Sequence, residues 1–165
     1  MNIANFPSRP ARGWRLAMAC VAAQLALLLP WPGPQAVWGE PTRFEKQEVE
    51  AQALEAFRNI MGLWQEELYF ELYDHGMEAT KSRINLENFA QRMVELSWVP
   101  QGELNPKFLK SSFRFRTMVY VSARVQYRHK FNPDRTFFKD HTFLLLEEKG
   151  SWRVDLIQLV RAPFA

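Results

Sequence analysis

The residues best suited to acid–base chemistry lie at the end of a long alternating segment and on the strand predicted to follow it. Tyr127 and His129 fall on the apolar face of that segment, and His141 is placed where it could approach them. A neutral histidine beside a tyrosine can relay a proton near pH 7. The alternative is that all three are strand-end residues that pack or lie half exposed. We favour packing, because the segment contains no acid to serve as a carboxylate base.

Other polar residues give weaker signals for chemistry. Further candidate donors and bases are Tyr69, Tyr73, Tyr120, Asp74, His75 and Asp140. The histidines have no metal-ligand spacing, and the one cysteine, Cys20, lies in the N-terminal segment, so we expect no metal site. The serines stand in no nucleophile-elbow or triad context. We therefore expect neither covalent catalysis nor a cofactor.

The alternating segment runs from Ser112 to Phe131. Its odd positions are mainly apolar and its even positions carry its arginines, which is typical of a strand with one buried and one solvated face. The segment is much longer than the usual strand of roughly 5–6 residues. It is therefore either one long bent strand or two strands broken near Thr117–Met118.

A long helix is predicted before this segment. Apolar residues recur every three or four positions from Val49 to Leu72, which predicts a helix from Lys46 that ends at Asp74-His75-Gly76. Its apolar stripe is expected to cover the strand's apolar face. The predicted contacts join Phe57, Ile60, Trp64, Leu68 and Leu72 to Val119, Val121, Val125 and Tyr127.

A second helix is predicted to begin at Asn85. Asn85 can cap it, Glu87 favours its first turn, and Ile84 can pack on Phe89 as a hydrophobic staple. Pro100 is expected to stop it.

Two strands are predicted to follow the alternating segment. A turn at 132–135 leads to a strand over Thr136–Glu147, a tight hairpin at 148–151 and a last strand over Trp152–Val160. Sequential antiparallel strands after two helices indicate an α+β fold.

Residues 1–39 have the composition of a secretory signal peptide. Three arginines and no acid precede an almost purely apolar run, Leu16 to Leu29, which prolines then end. The run is shorter than the about 20 residues a spanning helix requires. We expect export to the periplasm or the medium with cleavage after Gly39, or after Ala36 as a second choice. The alternative is an uncleaved membrane anchor.

The charge balance changes when this segment is removed. The whole chain has 21 basic and 18 acidic residues. Three of the basic residues and no acid lie in 1–39, which leaves 18 of each sign over 40–165. The high isoelectric point is therefore poor support for nucleic-acid binding, and we expect none. Residues 40–165 suit a single domain.

Three local stretches occur in an order that identifies a resemblance. They are the passage from Leu63-Trp64 to Leu72-Tyr73-Asp74, the helix start Ser82–Phe89 and the closing hairpin Glu147–Asp155. Together they resemble the nuclear-transport-factor-2-like, or SnoaL-like, superfamily over about residue 46 to 160. The resemblance implies a cone-shaped fold, in which a strongly curved antiparallel sheet wraps around the helices and leaves a pocket. It implies no particular reaction.

The resemblance also suggests where a ligand would bind. A small apolar ligand inside the cone would contact Trp64, Leu68, Tyr73, Val125, Tyr127 and His129. We expect an exported, non-catalytic ligand-binding or protein-interaction module. The alternative is a small-molecule isomerase or dehydratase of the SnoaL-like type that uses His129, Tyr127 and His141.

A basic strip on the solvated face of the long segment is a candidate partner surface. Its residues are Arg114, Arg116, Tyr120, Arg124 and Arg128. It would suit a second copy of the chain or a periplasmic protein, although a plain solvated face is the other interpretation. A bulge near Thr117–Met118 would turn the first two arginines away from the last two.

Overall fold

The computed structural model describes residues 39–164. The predicted signal peptide, residues 1–39, lies outside the described residues except for Gly39. Export and cleavage therefore stay predictions. Among the helices that are described, none combines the length and the apolar character needed to cross a membrane.

The first helix, α1 (Arg43–Gln65), begins with a capping box. Thr42 Oγ1 accepts a hydrogen bond from the backbone N–H of Glu45, whose carboxylate accepts one from the N–H of Thr42. The helix ends earlier than predicted, so the expectation of one continuous helix is wrong. Glu67 adopts a left-handed conformation with a φ of 59°, and the chain then re-enters a second helix, α2 (Tyr69–Asp74).

Two further helices precede the sheet. A short helix, α3 (Glu78–Lys81), leads to α4 (Leu86–Glu95). The predicted cap of α4 is confirmed, because Asn85 Oδ1 accepts a hydrogen bond at 2.9 Å from a backbone N–H of its first turn. Beyond α4, Pro100 belongs to a short strand, β1 (Trp98–Pro100), that the sequence did not predict.

Four more strands complete an antiparallel sheet. They are β2 (Lys110–Phe115), β3 (Met118–His129), β4 (Asn132–Glu148) and β5 (Ser151–Val154). β3 is central: it pairs with β4 along one edge and with both β1 and β2 along the other, and β4 pairs in turn with β5. The alternating segment is thus two strands, which was one of the two predicted alternatives.

Two predicted boundaries near the C-terminus are wrong. The β3–β4 turn is formed by Lys130 and Phe131, so β4 begins earlier than expected. The predicted last strand stops at Val154, because Asp155 caps a final helix, α5 (Leu156–Arg161). Asp155 Oδ1 accepts hydrogen bonds of 2.8 and 3.2 Å from the first turn of that helix. The tight β4–β5 hairpin is confirmed.

The core lies between the helices and one face of β3. The odd-numbered residues of β3 from Val119 to Tyr127 are buried, as the alternation predicted, and so are Phe57, Ile60, Trp64 and Leu72. Leu68 is 38% exposed, so its predicted place in the core is wrong; it follows the left-handed Glu67 and is the N-cap of α2. The fold is α+β, as predicted. The sheet is open and not strongly curled.

Candidate functional site

The interior predicted to hold a ligand is filled by aromatic side chains. Trp64 and Tyr127 are both fully buried, and their ring centroids lie 6.0 Å apart. Phe137 stacks on Tyr127 at 5.2 Å, and Phe57 packs on Phe143 at 5.1 Å. These contacts give the predicted pocket residues Trp64 and Tyr127 a packing role.

The other predicted pocket residues lie apart from one another. Tyr73 donates a hydrogen bond to the carbonyl of Ile84 at 3.1 Å. His129 packs on Trp98 at 4.9 Å, and its Nδ1 accepts the backbone N–H of Phe131 at 3.2 Å. Leu68 is partly exposed, and Val125 alone among the six lines the cleft described below.

The structure does bring two of the three candidate catalytic residues together. The hydroxyl of Tyr127 lies 3.1 Å from Nε2 of His141, whereas the ring of His129 contacts Trp98. Burial raises the pKa of the Tyr127 phenol and, with help from the charge of Lys139, lowers the pKa of His141. A neutral His141 can therefore accept the phenol hydrogen. The pair has the chemistry of a proton relay, but Tyr127 exposes no surface to a substrate.

The remaining candidate donors and bases are dispersed. Tyr69 hydrogen-bonds to Glu67 at the α1–α2 break, and Asp74 and His75 end α2. Tyr120 is half exposed on the sheet face that carries no helix. In the part of the chain that is described, no three His, Cys, Asp or Glu side chains are arranged to hold a metal ion.

An open cleft occurs where the sheet is incomplete. Along one edge of β3, β1 pairs with Tyr127–His129 and β2 with Met118–Ser122. The Gln126 carbonyl also accepts a hydrogen bond of 2.8 Å from the N–H of Gln101, which leaves Ala123–Val125 without a neighbour on this edge. We call this interval the edge gap. The chain between β1 and β2 leaves the sheet here and forms a 3₁₀ turn at Pro106–Phe108. The space between this loop, α1 and the edge gap, which we call the edge cleft, has a volume of about 840 Å³.

The edge cleft has a mixed lining. Apolar contacts come from Met61, Leu104, Phe108, Val125 and Phe138, and side-chain amides come from Gln65, Gln101, Asn105 and Gln126. Because the lining includes residues of both sheet faces, the cleft wraps around the edge of β3. The sequence did not predict β1, and without β1 the edge gap could not be foreseen.

Gly62 lies on the α1 wall of this cleft. A Cβ built at this position would meet no atom within 4 Å. The glycine therefore relieves no steric conflict, although glycine destabilises a helix interior by about 1 kcal/mol relative to alanine. Its effect is to leave this wall of the cleft bare.

Arg124 crosses the helix-free face of the sheet beside the cleft. Its guanidinium makes two hydrogen bonds to Asp140 on β4, of 2.7 and 2.8 Å, and lies 4.3 Å from the ring centroid of Phe108. These hydrogen bonds, and then the opposite charges of the two groups, raise the pKa of Arg124 and lower that of Asp140. The sequence placed Asp140 among candidate bases, but here it neutralises an arginine.

The predicted basic strip is not continuous. Arg116 lies in the β2–β3 turn with its guanidinium 3.7 Å from the Glu45 carboxylate of α1, so the prediction that it projects from the helix-free face is wrong. Arg114 stands where the register of β2 shifts, between Phe113 and Phe115. The strip therefore breaks near the predicted bulge.

The same face carries an apolar patch that the sequence did not predict. The cross-strand register places its members side by side: Phe115, Met118, Tyr120, Leu144 and Leu146. The ring of Phe115 is 59% exposed. We call this set the sheet patch.

Lys130, in the β3–β4 turn, has a largely buried side chain that joins three parts of the chain. Its ammonium lies 3.0 Å from the Tyr69 hydroxyl, 3.0 Å from the Met93 carbonyl and 3.3 Å from the Glu67 carboxylate. It also donates to the carbonyl of Val94. The lysine therefore satisfies the C-terminal carbonyls of α4 and fixes the turn between α1 and α2.

No protein-family model and no curated protein matches the sequence with significant similarity. The site is therefore interpreted from its geometry.

Proposed function

We propose that the chain is an exported, non-catalytic binding module of the nuclear-transport-factor-2-like type, which holds a small amphipathic ligand in the edge cleft. Support for export comes from the composition of residues 1–39, and support for the family comes from the order of helices and antiparallel strands. The observation that carries the binding role is the edge cleft itself. The family resemblance would put the ligand in the interior, which is filled by side chains. The ligand site proposed here lies instead at the edge of β3.

The size and lining of the edge cleft suit a ligand. Its volume of about 840 Å³ lies within the roughly 300–1,000 Å³ of typical ligand pockets. The apolar floor at Met61 and Val125 provides contact area, and the amides of Gln101 and Gln126 can fix the orientation of polar groups. Gly62 leaves the α1 wall of the cleft bare.

Two variants at Gly62 test this proposal. Gly62→Leu should fill the cleft from the α1 side, whereas Gly62→Ala adds one methyl group in open space and serves as the matched control. We expect native mass spectrometry of the purified protein to show a co-purified small molecule with the wild type and with Gly62→Ala. That molecule should be absent from Gly62→Leu. A ligand retained equally by both variants would show that the cleft is not its site.

A second candidate function is association of two copies through the sheet patch. The observation in its favour is the set of apolar side chains that meet across β2, β3 and β4 on a face without helices. Sedimentation velocity over a concentration series tests it, with Tyr120→Glu in the middle of the patch and Arg128→Glu outside the patch as the control. Association should be lost only with Tyr120→Glu. A wild type that sediments as a monomer throughout would rule this function out.

The isomerase or dehydratase alternative has one observation for it and two against it. The Tyr127–His141 hydrogen bond supplies a donor and an acceptor, but the hydroxyl is carried by a fully buried residue. Neither residue lines the edge cleft. We therefore give the binding role precedence.

A further inference from the structure

We infer that the ligand of the edge cleft is a short extended peptide, which pairs with the main chain of Arg124 and bridges the gap between β1 and β2. This inference rests on the binding role proposed above and adds the chemical class of the ligand. It follows from the direction of main-chain groups along one edge of β3.

The even-numbered residues of β3 direct their main-chain groups toward the β1 and β2 side. The N–H of Gln101 donates to the carbonyl of Gln126 at 2.8 Å, and the N–H of Lys130 donates to the carbonyl of Ser97 at 2.8 Å. At the other end, Ser122 stands opposite Lys110 of β2. In an antiparallel strand the N–H and C=O of alternate residues face the same side. Arg124, midway between Ser122 and Gln126, must therefore direct both groups into the edge gap.

Among residues 39–164, neither of these two main-chain groups has a hydrogen-bond partner. No main-chain hydrogen bond of Arg124 joins it to the loop that passes the cleft, and its side chain is engaged with Asp140. Unpaired strand-edge groups are a template for another extended segment. The interval offers one donor and one acceptor in the geometry of a strand pair.

The length of the gap limits the ligand. From Ser122 to Gln126 the strand rises about 13 Å, at roughly 3.3 Å per residue. A segment of about three residues fits this interval, with its central residue opposite Arg124. A segment parallel to β1 and β2, and so antiparallel to β3, would exchange two hydrogen bonds with Arg124.

The side chains of such a segment would meet different environments. The central side chain would lie on the helix-free face with Arg124, beside the neutral Arg124–Asp140 pair. The two flanking side chains would lie on the same face as Val125 and point toward Met61 and the bare wall at Gly62. The cleft therefore favours apolar residues of small or medium size on either side of a polar one.

The amides around the cleft agree with an uncharged polar ligand. Gln65, Gln101 and Gln126 each carry both a donor and an acceptor, which matches the peptide bond. The Arg124 charge is balanced by Asp140, and the two other charged residues of the lining, Arg58 and Glu103, carry opposite signs, so the cleft has no excess of positive charge to select an anion.

Amide hydrogen exchange of the purified protein gives the first test. The Arg124 N–H should exchange rapidly, because it faces the cleft, whereas the N–H of the adjacent Val125 faces β4 and should be protected. Slow exchange at Arg124 in the free protein would overturn the inference.

Peptide titration followed by NMR gives the second test. The probes are tripeptides with acetylated and amidated ends, threonine in the centre and alanine, valine or leucine on both sides. We expect binding that protects the Arg124 N–H and is lost with Gly62→Leu but kept with Gly62→Ala. Methylation of the threonine nitrogen should weaken binding roughly tenfold or more. Methylation of the preceding residue's nitrogen, which points away from β3, should have a much smaller effect.

The outcomes separate the inference from the proposed function. Equal effects of the two methylations would overturn peptide pairing. If sugars or apolar fragments bind in the cleft with sensitivity to Gly62→Leu and the peptides do not, the binding role stands and the peptide ligand is wrong. If no probe of any class binds there, both the inference and the proposed function fail.

Discussion

β3 presents two regions of opposite character within a few residues. Its helix-facing side at Val119–Tyr127 is closed by aromatic and aliphatic packing, and its edge at Ala123–Val125 is open. The packed face is specified by the side chains of β3 and α1, which repeat with regular periods. The open edge results from the path of the loop between β1 and β2, because these two strands pair with the same edge of β3 without meeting. Side-chain pattern thus determines the core of this protein, whereas loop placement determines its cleft.

The largest effect should come from the closed region. Trp64→Ala removes a fully buried ring that contacts Tyr127, and we expect the free energy of unfolding to fall by about 3–5 kcal/mol. Chemical denaturation measures this loss. Trp64→Phe keeps an aromatic ring and removes an indole N–H that has no hydrogen-bond partner among the described residues, so its loss should be clearly smaller. A loss under about 1 kcal/mol for Trp64→Ala would mean that α1 does not cover this face.

Substitution of glycine by alanine can be compared between the closed region, at Gly76, and the open region, at Gly62. A Cβ at Gly76 would lie 2.5 Å from Cδ1 of the fully buried Leu156, so Gly76→Ala should destabilise the protein by about 1–3 kcal/mol. At Gly62 a Cβ meets nothing within 4 Å, so Gly62→Ala should stabilise it by about 0.5–1 kcal/mol. Thermal unfolding of both variants measures the difference. The same sign of change for both would contradict the assignment of Gly62 to open space.

Two partly buried histidines, His141 and His75, should make the stability of the protein depend on pH. Because burial lowers the pKa of His141 below 6.5, the unfolded chain binds that proton more readily than the folded protein. Stability should therefore decrease as the pH falls below about 6.5. His75, whose pKa is lowered by burial and then by Arg153, contributes in the same direction. Denaturation of the wild type and His141→Gln between pH 7.5 and 5 should show a shallower decrease for the variant, and parallel curves would contradict this.

The hydrogen bond within the same pair gives a prediction of moderate size. Tyr127→Phe removes the hydroxyl that meets His141 Nε2 at 3.1 Å and should lower stability by about 0.5–1.5 kcal/mol. The His141→Gln background is the control, because the two substitutions should not be additive. Full additivity would show that the two groups do not interact.

The smallest effect is expected on the exposed side of the open region. Arg124→Gln breaks the ion pair with Asp140, which is accessible to water and screened by salt. The urea midpoint should stay close to that of the wild type at both low and high salt. A loss comparable to that of Gly76→Ala would show that this pair holds the edge of β3 in place.

The sequence predicted those parts of the fold that depend on side-chain period. The alternation of Val119, Val121 and Val125 predicted the buried face of β3, and Asn85 predicted the start of α4. The sequence did not predict the break after α1, because Glu67 is an unusual residue for a left-handed position. It also missed α5, since the run after Trp152 is apolar enough for a strand, although Asp155 before Leu156 is a recognisable cap signal.

The candidate site was harder to predict than the core. Placing the β3–β4 turn at 132–135 shifted the expected register of the hairpin, so the contact between Arg124 and Asp140 was not foreseen. β1 was missed because it is short and ends in Pro100, which has no N–H for the ladder. Without these two facts the position of Ala123–Val125 at an unoccupied edge cannot be derived from residue patterns.

The great length of β4 has a consequence for how the protein stays in solution. β5 pairs only with Leu145–Glu148, so most of the outer edge of β4 lacks a neighbouring strand among the described residues. An edge of this kind would recruit other chains into a growing aggregate. Pro133 removes one donor, and the charges of Asp134 and Lys139 oppose close approach of a second strand. These three side chains thus protect colloidal stability, a role distinct from holding the fold or binding a ligand.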